Sequence, residues 1–416
     1  MGISQESCDN FPDVFKEEAQ DGSNDKETMP RFKMDIDSIV FAHDWEILTE
    51  RLKEFKIKFL FGSRTHYDFD YWDKVKLQFE HFWPQLRIAL YKAIEYGLYE
   101  QVREIFFDLR HLLQTTGHVK ERIYFAAWLR KEASVRGHHG TKYLTTTSLI
   151  WVYTSSGCFQ NLEKAKKMAE GIIPFVTEVG TEVGDSPKSG ERRKALVNEL
   201  GEKLYVELMI DAHETLVRLA IRHRELDAAG KYIREGKEEI SLLAAAELLP
   251  PRLKERFDIA FCYHEAIILY LKGEYQDAQA LFQEIADRSS LIGWMRVVKG
   301  STSWLATLAI MREEDYQTCE AIVQKAAAFV PRQFGKRDGI CHLIKAQLSK
   351  RFGSEEEKVA SEARASECLR GFSGAVSTQN DSCNIDGFLL GAFSNTPESC
   401  AEDRKKATHL LEYKYT

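Results

Sequence analysis

Apolar residues recur along this chain at intervals of three and four, the spacing that gathers them on one face of an α-helix. From Leu98 to Thr116 that face holds Leu98, Val102, Ile105, Phe106, Leu109, Leu112 and Leu113. His118 to Arg136 repeats the pattern with Val119, Ile123, Ala126, Ala127 and Ala133, and Thr141 to Ser155 with Leu144, Ser148, Trp151 and Val152. Phe159, Leu162, Ala165, Met168, Ala169 and Ile172 continue it. Gly97, Gly117, Gly137 and Gly157 fall between these stretches, every twenty residues, where a helix must stop and a residue without Cβ turns most readily. Two adjacent helices form a hairpin, so the unit is the forty residues from Gly117 to Gly157, the self-similarity of a helical repeat array.

The remaining pattern divides the chain. Residues 1–35, rich in Asp, Glu, Ser, Asn and Gly, read as a disordered acidic tail. Residues 36–96 read as a mostly helical, aromatic-rich cap: Trp45, Leu48, Leu52 and Phe55 share a helical face, and Lys56 to Phe61 alternates like a strand. Tyr67, Phe69, Tyr71, Trp72, Phe79, Phe82 and Trp83 then supply enough aromatic area to cover the first hairpin. Residues 97–173 form the first set of repeats. Residues 174–199, with Gly180, Gly184, Ser186, Pro187 and Gly190, read as a loop or insertion. Residues 200–370 form a second set: Gly273-Glu274-Tyr275-Gln276-Asp277-Ala278 is answered forty residues later by Glu314-Asp315-Tyr316-Gln317, and again at Gly353-Ser354-Glu355. Residues 371–416 read as a largely disordered tail. The expected fold is all-α, an α-solenoid of about six antiparallel hairpins with flexible N- and C-terminal tails.

Composition changes this picture little. In 416 residues, 44% are hydrophobic and 29% charged, enough apolar content for a folded core. The net charge of −7 weighs against sequence-independent nucleic-acid binding, which draws on a Lys/Arg excess. No apolar run reaches the ~20 residues needed to cross a bilayer. The eight cysteines form no C-x-x-C pair, which points to a reducing, cytoplasmic setting without a zinc or disulfide framework.

Gly157-Cys158-Phe159-Gln160-Asn161-Leu162 and Gly273-Glu274-Tyr275-Gln276-Asp277-Ala278 share a Gly-x-aromatic-x-x-small opening. With it the region from about residue 85 to 370 resembles the tetratricopeptide repeat, although its period of forty departs from the usual thirty-four. Leu112 to Ala165, including Gly117-His118-Val119-Lys120-Glu121-Arg122 and Trp151-Val152-Tyr153, is most similar to the long-helix repeats in the sensor regions of bacterial signal-transduction ATPases and MalT-like regulators. The resemblance implies peptide or ligand recognition on an inner, concave face built from the first helix of each hairpin, here about 98–116, 138–156, 200–222, 252–272, 292–312 and 333–351. The ATPase half has no counterpart: Gly335-Lys336-Arg337 is not a phosphate-binding loop.

Catalytic patterns are missing. His264-Glu265 is followed by Ile268 where a zinc protease needs its second histidine, and G-x-S-x-G does not occur. Adjacent His138 and His139 diverge on a helix and read as helix-end groups. No enzyme, cofactor or metal is expected. The binding candidates are Lys142, Tyr143, Arg218, Arg222, Tyr263, His264 and Trp304, which offer cationic or aromatic contacts on the proposed inner helices. The reading is an adaptor or regulatory scaffold that binds a protein segment in its groove. Its alternatives are a sensor whose curvature responds to a small molecule or peptide, and, against the charge balance, a nucleic-acid-binding repeat protein. Nothing in the sequence fixes whether the array forms a homo-oligomer.

Overall fold

The computed structural model describes residues 45–52, 69–115, 118–156, 159–175, 187–292, 294–312, 314–328 and 335–369. The chain is all-α, and no strand occurs among the described residues. A short helix, α1 (45–52), precedes α2 (Phe69–Glu95), α3 (Tyr99–Thr115), α4 (Val119–Arg136), α5 (His139–Ser156) and α6 (Phe159–Glu170). Then come α7 (Pro187–Leu200), α8 (Glu202–Arg222), α9 (Leu226–Ala245), α10 (Pro251–Lys272) and α11 (Tyr275–Leu291). The last four are α12 (Met295–Met311), α13 (Tyr316–Ala328), α14 (Gly335–Phe352) and α15 (Glu355–Leu369). The tails, the strand-like 56–61, Gly117 and Gly157 lie outside the described residues.

Local chemistry sets the helix ends. Gly137 and Gly273 close α4 and α10 in the left-handed region, at φ of 72° and 84°. Arg224 and Glu247 perform the same turn after α8 and α9 at φ of 58° and 57°, without a glycine. Pro251 begins α10, where the missing N–H has no helical partner to lose. Asp315 Oδ1 accepts the Thr318 N–H at 3.0 Å, and Ser354 Oγ accepts that of Glu357 at 3.2 Å, capping α13 and α15.

Consecutive helices from α2 to α6 and from α7 to α15 pack against one another. Further contacts skip along the chain: α5 with α8, α8 with α10, and α12 with α14. Helix α5 also meets α7, and α8 meets α6. One apolar core runs from Leu52 to Leu308, and a second, built on Ala306, Ala309 and Ile310 on another face of α12, joins Ile340, Leu343, Ile344 and Ala365. Phe79 and Trp83, stacked at 5.3 Å, are buried in the first core, with Trp83 4.9 Å from the His118 ring.

The segment 174–199, expected as a loop or insertion, carries α7 from Pro187 on. Gly190 and the charged run after it obscure the helical period, but Leu196 and Leu200 are buried and Val197 packs beside them. Glu199 fixes the end of α7 to the start of α5: its carboxylate accepts the N–H groups of Gly140 and Thr141 at 2.8 and 2.7 Å. These amides open α5 and have no partner within it, so the contact satisfies two helix-end donors with a favourably placed charge.

Candidate functional site: a charged stripe on helix α8

Helix α8 is buried on almost every side, and its core faces are lined by Val206, Met209, Ile210, Val217 and Ala220. Between Tyr205 and Arg222 only four side chains are not buried: Glu207, Asp211, Glu214 and Arg218. Their spacing of four, three and four residues aligns them along one edge of the helix. All four are charged.

Each meets a group from another helix. Arg110 of α3, only 2% exposed, pairs through Nη2 with Glu207 and lies 3.9 Å from Asp211 Oδ2; its Nη1 donates to the Phe107 carbonyl at 3.0 Å. Glu214 Oε1 is 3.2 Å from His264 Nε2 of α10. The Arg218 guanidinium covers the Trp151 ring of α5 at 3.8 Å, a cation–π contact. Arg256 of α10 stacks 5.0 Å above Trp294 and attracts Asp211 electrostatically.

Burial pushes the Asp211 carboxyl up to about 7; Glu207 and Glu214 push the same way, against Arg110 and Arg256. Yet 23% of the Asp211 side chain remains accessible. The next-but-one residue, His213, faces the core: burial alone lowers its pKa to about 4, and neither ring nitrogen has a hydrogen-bond partner among the described residues.

The seven sequence-derived candidates separate. Arg218 lies on the stripe, and His264, itself buried at 5% exposure, meets it at Glu214. Arg222 is buried, at 9% exposure, rather than offered to solvent. Trp304 is wholly buried, stacked on Phe282 at 5.4 Å, and donates Nε1–H to the Tyr263 hydroxyl at 3.1 Å. It is a core residue, not a groove contact, because α12 is enclosed along its length from Ser301 to Ile310. Tyr263 is half-buried beside it, 5.7 Å from Phe282. Tyr143 stacks on Phe175 at 3.9 Å, and Lys142 precedes it on α5, apart from the stripe. Sequence reading missed Arg110, Glu207, Asp211 and Glu214. The last three were detectable as charges at helical spacing inside an otherwise apolar helix, whereas Arg110 is placed only by tertiary packing.

The stripe offers carboxylates and guanidiniums for ionic and hydrogen-bonded recognition. No group of three or more His, Cys, Asp or Glu side chains among the described residues is arranged to hold a metal ion. A cavity of about 30 Å³ between α1 and α3, lined by Trp45, Glu104 and Asp108 among others, has room for about one water molecule. The chain matches no known family model, and no curated protein matches it in sequence.

Proposed function

We propose that this protein is a non-enzymatic adaptor of stacked helical hairpins, resembling the tetratricopeptide class, that binds a protein segment across its leading helices. One observation carries the reading: between Tyr205 and Arg222, α8 keeps open only a line of charged side chains, met by charged or aromatic groups from α3, α5 and α10. Partly desolvated charges weaken a fold compared with well-packed apolar side chains, so their concentration on one accessible edge favours recognition over stability. A bound segment would trade salt bridges and cation–π contacts with this edge, and the rigid helices would need little rearrangement.

The test is affinity purification from the native cell with wild type, Arg218→Glu on the stripe and Lys231→Glu on α9, whose side chain is 60% exposed. Arg222→Glu is unsuited because it would bury a carboxylate. A polypeptide retained by Lys231→Glu and lost by a folded Arg218→Glu supports the proposal. Equal retention by all three proteins refutes binding at this edge.

A further inference from the structure

Helix α12 divides its apolar side chains between two cores. Trp304, Leu305 and Leu308 belong to the first, and Ala306, Ala309 and Ile310 to the second, on another face. The first face is locked by aromatic rings: Trp304, with no exposed surface, stacks on Phe282 of α11 at 5.4 Å and lies 4.7 Å from the Tyr270 ring of α10. The second core contains no aromatic side chain among the described residues. There Cys319 and Val323 of α13 join Ile340, Leu343, Ile344 and Leu348 of α14 and Ala365 of α15. Parting these from two alanines and one isoleucine uncovers far less apolar area on α12 than withdrawing Trp304 would.

Ile322 of α13, half-buried, packs against both cores, and Arg351 Nη1, near the end of α14, donates to the Ile310 carbonyl in the last turn of α12. These contacts tie the two sides of the seam. Beyond it, α13–α15 supply their own helix-end and packing partners. Asp315 accepts the Thr318 N–H and hydroxyl at the start of α13, and Ser354 caps α15. Phe352 of α14 meets the Tyr316 ring of α13 edge-on at 5.3 Å.

We propose that α13, α14 and α15 form a hinged cap that opens from α12 as one unit, turning on the α12–α13 connection while α12 stays folded on α10 and α11. Opening uncovers the Ala306, Ala309 and Ile310 face. A simple stack of hairpins would instead fray hairpin by hairpin, α14 with α15 first. The second core forbids that order: Cys319 and Val323 lose their α14 partners once that helix leaves, so α13 departs with it. The seam therefore cuts through the α12–α13 hairpin rather than between hairpins. The cap involves none of the stripe helices and stands whether or not the α8 edge binds a polypeptide.

Native-state amide exchange against urea, on the full chain, tests this. The slow amides of α13, α14 and α15 are expected to share one opening curve, with a lower free energy and a smaller urea slope than those of α8–α12. One curve for all helices overturns the proposal, and so does α13 following α12 while α14 and α15 open earlier. Leu343→Ala in the second core should speed exchange in all three cap helices at least about thirtyfold and leave α8–α11 unchanged. Equal acceleration in α10 overturns the proposal. Should Leu343→Ala fail to fold, Arg351→Met decides: losing the tie to Ile310 should speed the three cap helices about tenfold together, and acceleration of α14 and α15 without α13 overturns the proposal equally.

Discussion

Gly236 lies inside α9 against the ring of Phe261, a residue of α10 with no exposed surface. A Cβ placed there would stand 2.3 Å from Cζ, 2.7 Å from Cε1 and 3.0 Å from Cε2 of that ring. Carbon atoms rest at about 3.5–4.0 Å, so the ring or one helix would have to retreat by roughly 1 Å. Helix propensity alone predicts that Gly236→Ala stabilises by about 1 kcal/mol. Overpacking a buried aromatic costs about 1–3 kcal/mol or more, and three ring atoms inside contact distance place this site at the upper end. The expected net result is a destabilisation of about 2 kcal/mol. Urea unfolding monitored by circular dichroism reads it as a lower midpoint at unchanged slope. Gly230 on the same helix is the internal control: its nearest neighbour is the flexible end of Arg234 at 3.7 Å, so Gly230→Ala should stabilise by up to about 1 kcal/mol. Adding Phe261→Leu to Gly236→Ala should recover part of the loss. Equal stabilisation by both alanine variants would refute the close α9–α10 packing.

Two further predictions concern contacts between distant parts of the chain. Glu199→Gln weakens the charge-assisted cap on the Gly140 and Thr141 amides and should cost about 1 kcal/mol, with faster amide exchange confined first to the start of α5. Arg110→Met leaves Glu207 and Asp211 without their shared cation and should cost about 2–4 kcal/mol in urea unfolding, below the value for a fully buried pair because both carboxylates keep some contact with water. The Arg110→Met loss should be larger at pH 8 than at pH 6, since protonated Asp211 no longer repels Glu207.

The helical class was legible because apolar spacing and helix-ending glycines are local signals, as at Gly137 and Gly273. Where a side-chain-bearing residue makes the same turn, the glycine ladder breaks: Arg224 and Glu247 end α8 and α9 in the left-handed region and carry no sequence cue. Helix α7 was hidden because its contribution comes from Leu196, Leu200 and the Glu199 cap on a helix nearly sixty residues earlier in the chain. Site residues were harder still. Trp304 and Tyr263 share helical character and chemistry with surface contacts, yet their hydrogen bond lies within the packing of α10 on α12. Which face of a helix is covered depends on its neighbours, and a single helix's periodicity cannot distinguish an inner groove from a second buried side.

That distinction bears on the stripe. Helix α8 packs against α5, α6, α7, α9 and α10, which explains why it is buried at fourteen of its positions. Its remaining edge is too narrow for a broad polar face and could have been closed with alanine or serine at little cost in helix propensity. Instead it carries Glu207, Asp211, Glu214 and Arg218, and α3 commits a buried arginine to it. Arg110 ties α3 to α8 although α5 intervenes between them in sequence and packs against α8, so the charge pair links two helices that lie apart in the chain. A change in the charge of this edge therefore acts on the relation between α3 and α8 rather than on one helix alone.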